Sequence, residues 1–71
     1  MTNELVDVRI YLGRFGNEKL LVTTSINTNL LPHKNDFIYF DGEAYKALYH
    51  MLDIDHNEYN IFVRLATEED F

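Results

Sequence analysis

The sequence predicts an all-β domain, five antiparallel strands arranged as a small barrel. Three observations predict it. Apolar and polar residues alternate along 5–12 and again along 59–65, the period-two pattern of half-buried strands. Phe37-Ile38-Tyr39-Phe40 is a run of aromatic and β-branched residues, the types that fit a pleated surface. Asp41-Gly42 follows at once, a pair that tolerates the positive φ required by a two-residue type I′ hairpin turn.

Residues 1–4 form a polar start that frays. In the first strand, 5–12, Val6, Val8, Ile10 and Leu12 share one face, and Asp7, Arg9 and Tyr11 share the other. Gly13, Gly16 and Asn17 then mark a turn. The second strand covers 19–26, with Leu20, Val22, Thr24 and Ile26 facing in. Leu21 is also apolar, so a register one residue away stays open.

The connection 27–36 is longer than the usual hairpin loop of about two to five residues. Pro32 suits a loop just outside a sheet, and Asn35-Asp36 suits the tight entry into the next strand. After the hairpin turn, Tyr45, Ala47 and Tyr49 share one face of the fourth strand, with Lys46, Leu48 and His50 on the other. Near Leu48 apolar residues become adjacent, which predicts a bulge or bend before the strand runs on toward Ile54. Residues 53–58 form the next turn. In the fifth strand, 59–65, Tyr59, Ile61, Val63 and Leu65 share one face, and Asn60, Phe62 and Arg64 the other. Residues 66–71 are an acidic tail ending in Phe71. The alternative is an α+β fold in which 43–52 is helical, because Glu, Ala, Lys, Leu and Met are good helix formers.

At 71 residues the chain is expected to form a single domain, 1–71. It has no cysteine, so neither disulfides nor thiolate zinc sites contribute, and packing or self-association must supply stability. Twelve acidic residues oppose six basic ones, a net charge of -6. That balance argues against nucleic acid and anionic membranes, and it suits a basic partner. There is no signal-peptide pattern and no long apolar run, so a cytoplasmic location is expected.

No catalytic, cofactor or metal site is expected. Asp53-x-Asp55-x-Asn57 opens like a calcium loop, but Glu58 stands where glycine is needed and Arg64 where the closing glutamate belongs. His33, His50 and His56 are not spaced as a ligand set, although loops would let His33 and His56 meet at one barrel end. Ser25 is the only serine and has no nucleophile signature around it.

Pro32, Asp36, Gly42 and Tyr45 together make a pattern that resembles the small SH3-like β-barrels of phage, prophage and mobile-element proteins. The match spans roughly 30–65, with Asn35 where those barrels usually place glycine; Asn is the commonest substitute in that conformation. The resemblance implies an SH3-like barrel whose long second connection belongs to the binding surface and whose first and last strands lie close together. Tyr11, Phe62, Arg9 and Arg64 would then form one exposed patch, with Tyr39 as a further outward aromatic; such patches mark interfaces.

The expected function is a non-enzymatic interaction protein, encoded by a phage or mobile element. It would bind a partner protein, such as a basic host protein, through outward aromatics and an acidic rim. Two alternatives stand beside it. One is a nucleotide- or single-strand-binding barrel that stacks bases on Tyr39, Tyr45, Tyr49 or His33. The other is a subunit of a homo-oligomer assembled through sheet edges.

Overall fold

A computed structural model describes residues 4–71. Its strands are β1 (Leu5–Leu12), β2 (Lys19–Asn27), β3 (Phe37–Phe40), β4 (Glu43–Asp53) and β5 (Glu58–Leu65), with single 3-10 turns at Thr28–Leu30 and Glu68–Asp70. They form one sheet in the order β2-β1-β5-β4-β3, curled into a half-barrel. The all-β class therefore holds, and the segment with helical composition is strand. Side-chain packing overrides propensity there: Tyr45 and Ala47 alternate into the core. The expected polar start lies outside the described residues except for Glu4, whose carbonyl accepts from the Thr28 amide at 3.0 Å.

The purely antiparallel order expected from the sequence is not what forms. β1 pairs with β5 in parallel, from Val8 opposite Tyr59 to Leu12 opposite Val63. An odd number of strands explains this. A chain of five strands that reverses at every connection brings the first and fifth round in the same direction. The other possible seam, β2 against β3, stays open. A long connection separates these strands, and they are the two edges of the sheet.

The concave face holds the core, built on Val8, Ile10, Tyr45, Ala47, Ile61 and Val63. Val6, Leu12, Val22, Ile26, Leu31, Ile38, Phe40 and Tyr59 pack around it. Each fully buried aliphatic side chain contributes about 1.5–3 kcal/mol, so a chain this short depends on all of them. The β3–β4 turn is the one the sequence predicts. Asp41 and Gly42 have φ of 52° and 79°, both left-handed, and Phe40 sits opposite Glu43. Asn35 is left-handed as well, and Asp36 closes the entry to β3 by accepting from the His33 amide at 2.7 Å.

Two bulges set which side chains face where. In β2 the register shifts opposite Ile10 and Tyr11, so Leu21 is the extra residue. Leu21 packs toward the core beside Val22, while Leu20 turns out to solvent, a correction to the inward Leu20 of the simple alternation. In β4 the shift falls between Ala47 and Tyr49, at the predicted Leu48. Its consequence reverses the expected faces beyond it. Tyr49 leaves the face of Tyr45 and Ala47 and stands opposite Phe62, while His50 stands opposite Ile61.

Candidate interaction surface

Outward residues of β1 and β5 meet as the neighbouring strands require. Tyr11 lies opposite Phe62, and their rings stack at 5.4 Å. The result is a second small core, not an open patch. Tyr49, brought over by the β4 bulge, lies 5.0 Å from the Phe62 ring, and Phe15 meets it edge-on at 6.1 Å. The Phe15 amide donates to the Tyr49 hydroxyl at 2.9 Å, which fixes the β1–β2 loop over the cluster. Phe62 ends 1% exposed: it points outward as alternation demands, yet it is enclosed and out of a partner's reach. Alternation gives the side of the sheet but not whether a loop folds over that side.

The two arginines are separated by the length of β5 and are both engaged. Arg9 Nε lies 3.2 Å from Glu58 Oε1, an ion pair without a hydrogen bond between the two atoms. At the other end Arg64 grips Asp70 through two nitrogens, at 3.0 and 2.8 Å, and Lys46 Nζ lies 3.5 Å from the same carboxylate. The Thr67 amide adds a hydrogen bond at 2.7 Å. The Arg64 guanidinium first, and the Thr67 amide next, hold the Asp70 carboxyl well below the usual carboxylate range.

This clamp places Phe71 on Phe37, the rings stacked at 4.9 Å. Tyr39 belongs to the same edge and is 76% exposed, while Phe37 and Phe71 also remain open to solvent. Three of the exposed aromatics thus gather at β3, while Phe15 on the β1–β2 loop is the fourth. Of the expected site residues only Tyr39 lies there; Phe37 and Phe71 join it. The signal for Phe37 was present in the sequence, since it shares a face with Tyr39. Phe71 becomes visible only once Asp70 is seen to pin the tail.

Beside this edge the open seam leaves a groove of about 380 Å³ on the concave face, lined by Val8, Ile10, Ile26, Pro32, Phe37 and Ile38 among others. Tyr45 is buried and Tyr49 is committed to Phe62, so neither is free to stack on a base. His33 approaches His50, with ring centroids at 6.3 Å, instead of the expected His56. His56 belongs to the β4–β5 turn, where Asp53 accepts from its amide at 3.2 Å and pairs with its Nδ1 at 2.9 Å. That pairing raises the His56 pKa above 6.5 and lowers that of Asp53. Asp53, His56 and Glu58 bring ligand-type atoms within 4.8 Å of one another. Arg9 already supplies the cation facing Glu58, so the cluster reads as a charge network that closes the turn.

Among the described residues no helix is long and apolar enough to cross a membrane. Compared with known proteins, the chain matches no family model, no curated protein and no solved structure at a significant level.

Proposed function

We propose that the chain is a non-enzymatic interaction protein working in the cytoplasm, of the kind phage and mobile elements encode, and that it binds a partner protein along the β3 edge. One observation carries the reading. The apolar, exposed side chains Phe37, Tyr39 and Phe71 gather at a sheet edge beside an apolar groove. An edge strand supplies backbone donors and acceptors, and aromatic anchors supply contact area, which together suit strand addition. The net charge of -6 favours a basic partner surface. Binding of nucleic acid has less support, since Arg9, Arg64 and Lys46 are each paired with a carboxylate.

The test is photo-crosslinking in extracts of the source cells, with a benzophenone side chain at position 39 and, as control, at position 23 on the other edge. A discrete polypeptide adduct from position 39 alone supports the proposal. Adducts that are equal at both positions, or that contain nucleic acid, overturn it.

A further inference from the structure

We infer that a second copy of this chain is a partner of the β3 edge, joined by antiparallel β3–β3 pairing about a twofold axis at Ile38. This inference deepens the interaction reading above and rests on it. The two-residue turn makes Phe40 and Glu43 a hydrogen-bonded pair, so Ile38 and Tyr45 are one as well. Asp36 continues the series: its carbonyl accepts from the Ala47 amide at 2.8 Å. Residues 38 and 40 therefore spend their backbone groups on β4, as does the Asp36 carbonyl, while the Asp36 amide donates to the His33 carbonyl. Phe37 and Tyr39 turn theirs outward, away from the sheet.

Only registers that keep like faces together satisfy a second copy. With Ile38 opposite its own counterpart, Phe37 of one copy faces Tyr39 of the other, and those are the residues with outward backbone groups. The outer face then gathers Phe37, Tyr39 and the stacked Phe71 of both copies into one aromatic cluster. Charge is complementary in the same register. The antiparallel run sets exposed Lys34, ahead of β3 in one copy, toward the acidic Asp41–Glu43 tip of the other.

The other edge is guarded more heavily than this one. β2 carries a bulge at Leu21, Lys19 at its start and polar Thr23, Thr24 and Ser25 along its exposed stretch. β3 has no charge, no proline and no bulge, and its four-residue length is the one such device it keeps.

Oligomeric state is measured by light scattering across a wide dilution series, on the wild-type chain and on Tyr39→Pro. The Tyr39 amide points outward, so proline there deletes a bond between copies and leaves the β3–β4 ladder intact. A wild-type dimer that dissociates on dilution, with Tyr39→Pro monomeric throughout, is the expected result. Register is read by disulfide trapping, since the chain has no cysteine of its own. Ile38→Cys falls at a non-hydrogen-bonded pair across the axis, where Cα atoms lie about 4.5 Å apart, within disulfide reach. It is expected to cross-link at least about tenfold faster than Thr23→Cys on β2, because pairing raises the local thiol concentration. If Tyr39→Pro does not fold, the cysteine pair decides alone. A wild-type monomer at every concentration overturns the inference, as does equal cross-linking from both edges. A monomer that still gives a polypeptide adduct from position 39 removes self-pairing and leaves the interaction reading in place.

Discussion

Phe62→Ala separates a buried aromatic pillar from a binding residue. Phe62 is 1% exposed and meets Tyr11, Tyr49 and Phe15. Truncating a buried Phe to Ala costs about 3–5 kcal/mol, part lost transfer energy and part the cavity left behind. The rings around it gain about 0.5–1.5 kcal/mol per aromatic pair beyond area burial, which places this site toward the upper end. A chain of 71 residues has roughly 4–11 kcal/mol of stability at about 0.05–0.15 kcal/mol per residue. The substitution therefore removes a third or more of the total and leaves a domain near its folding threshold. The assay is urea unfolding followed by far-UV circular dichroism in dilute solution, since there is no tryptophan to report. Tyr39→Ala is the comparison: at 76% exposure it changes stability by no more than about 0.5 kcal/mol. A loss below about 1 kcal/mol for Phe62→Ala, or an equal loss for Tyr39→Ala, refutes the assignment of an outer core.

Two further outcomes follow from the turns. The His56 pKa is raised by Asp53, so the stabilisation His56 gives is complete below the ordinary imidazole value of 6.5 and is lost as pH rises through its higher folded value. Asp53 is lowered, so its share is present above the ordinary carboxylate range and lost as pH falls through the depressed value. A proton NMR titration of the His56 ring checks this: Asp53→Asn moves its midpoint back toward 6.5, and an unchanged midpoint contradicts the pairing. In the β1–β2 loop Gly13 has φ of 107°, and a Cβ there would lie 2.8 Å from the Asn17 carbonyl oxygen. Gly13→Ala therefore lowers the melting temperature more than Gly42→Ala, whose left-handed φ costs about 1–2 kcal/mol but whose Cβ meets open space.

What could be read from the sequence was local. The limits of β1, the Asp41-Gly42 hairpin, left-handed Asn35 and the bulge at Leu48 all follow from residue types over a few positions. What could not be read depended on distance along the chain. The parallel β1–β5 pair follows from counting reversals, an argument about the whole fold that no window of alternation contains. The bulge at Leu48 was legible as a change of period, but its effect, placing Tyr49 opposite Phe62 and exposed His50 opposite Ile61, required knowing that the strand continues through it. The candidate patch failed for the same reason. Tyr11 and Phe62 were rightly placed on one face, while the loop bearing Phe15 that covers them lies 47 residues from Phe62 in sequence.

The five tyrosines and five phenylalanines have a structural explanation that also narrows the functional one. A half-barrel open along one seam cannot enclose all its apolar surface on a single side, so this chain buries aliphatics in the concavity and aromatics on the back of the sheet. Tyr45 and Phe40 serve the first, and Tyr11, Tyr49 and Phe62 the second, with Phe15 lying over them and still exposed. Aromatics committed to holding a marginal domain together are not available to a partner without unfolding it. Besides Phe15 on the β1–β2 loop, those that remain exposed to solvent are Phe37, Tyr39 and Phe71, and these three stand together at a sheet edge whose strand has no charge, proline or bulge. An edge that carries exposed aromatics and has only its shortness to protect it is an aggregation hazard unless something occupies it, and that cost is the physical reason to place recognition there.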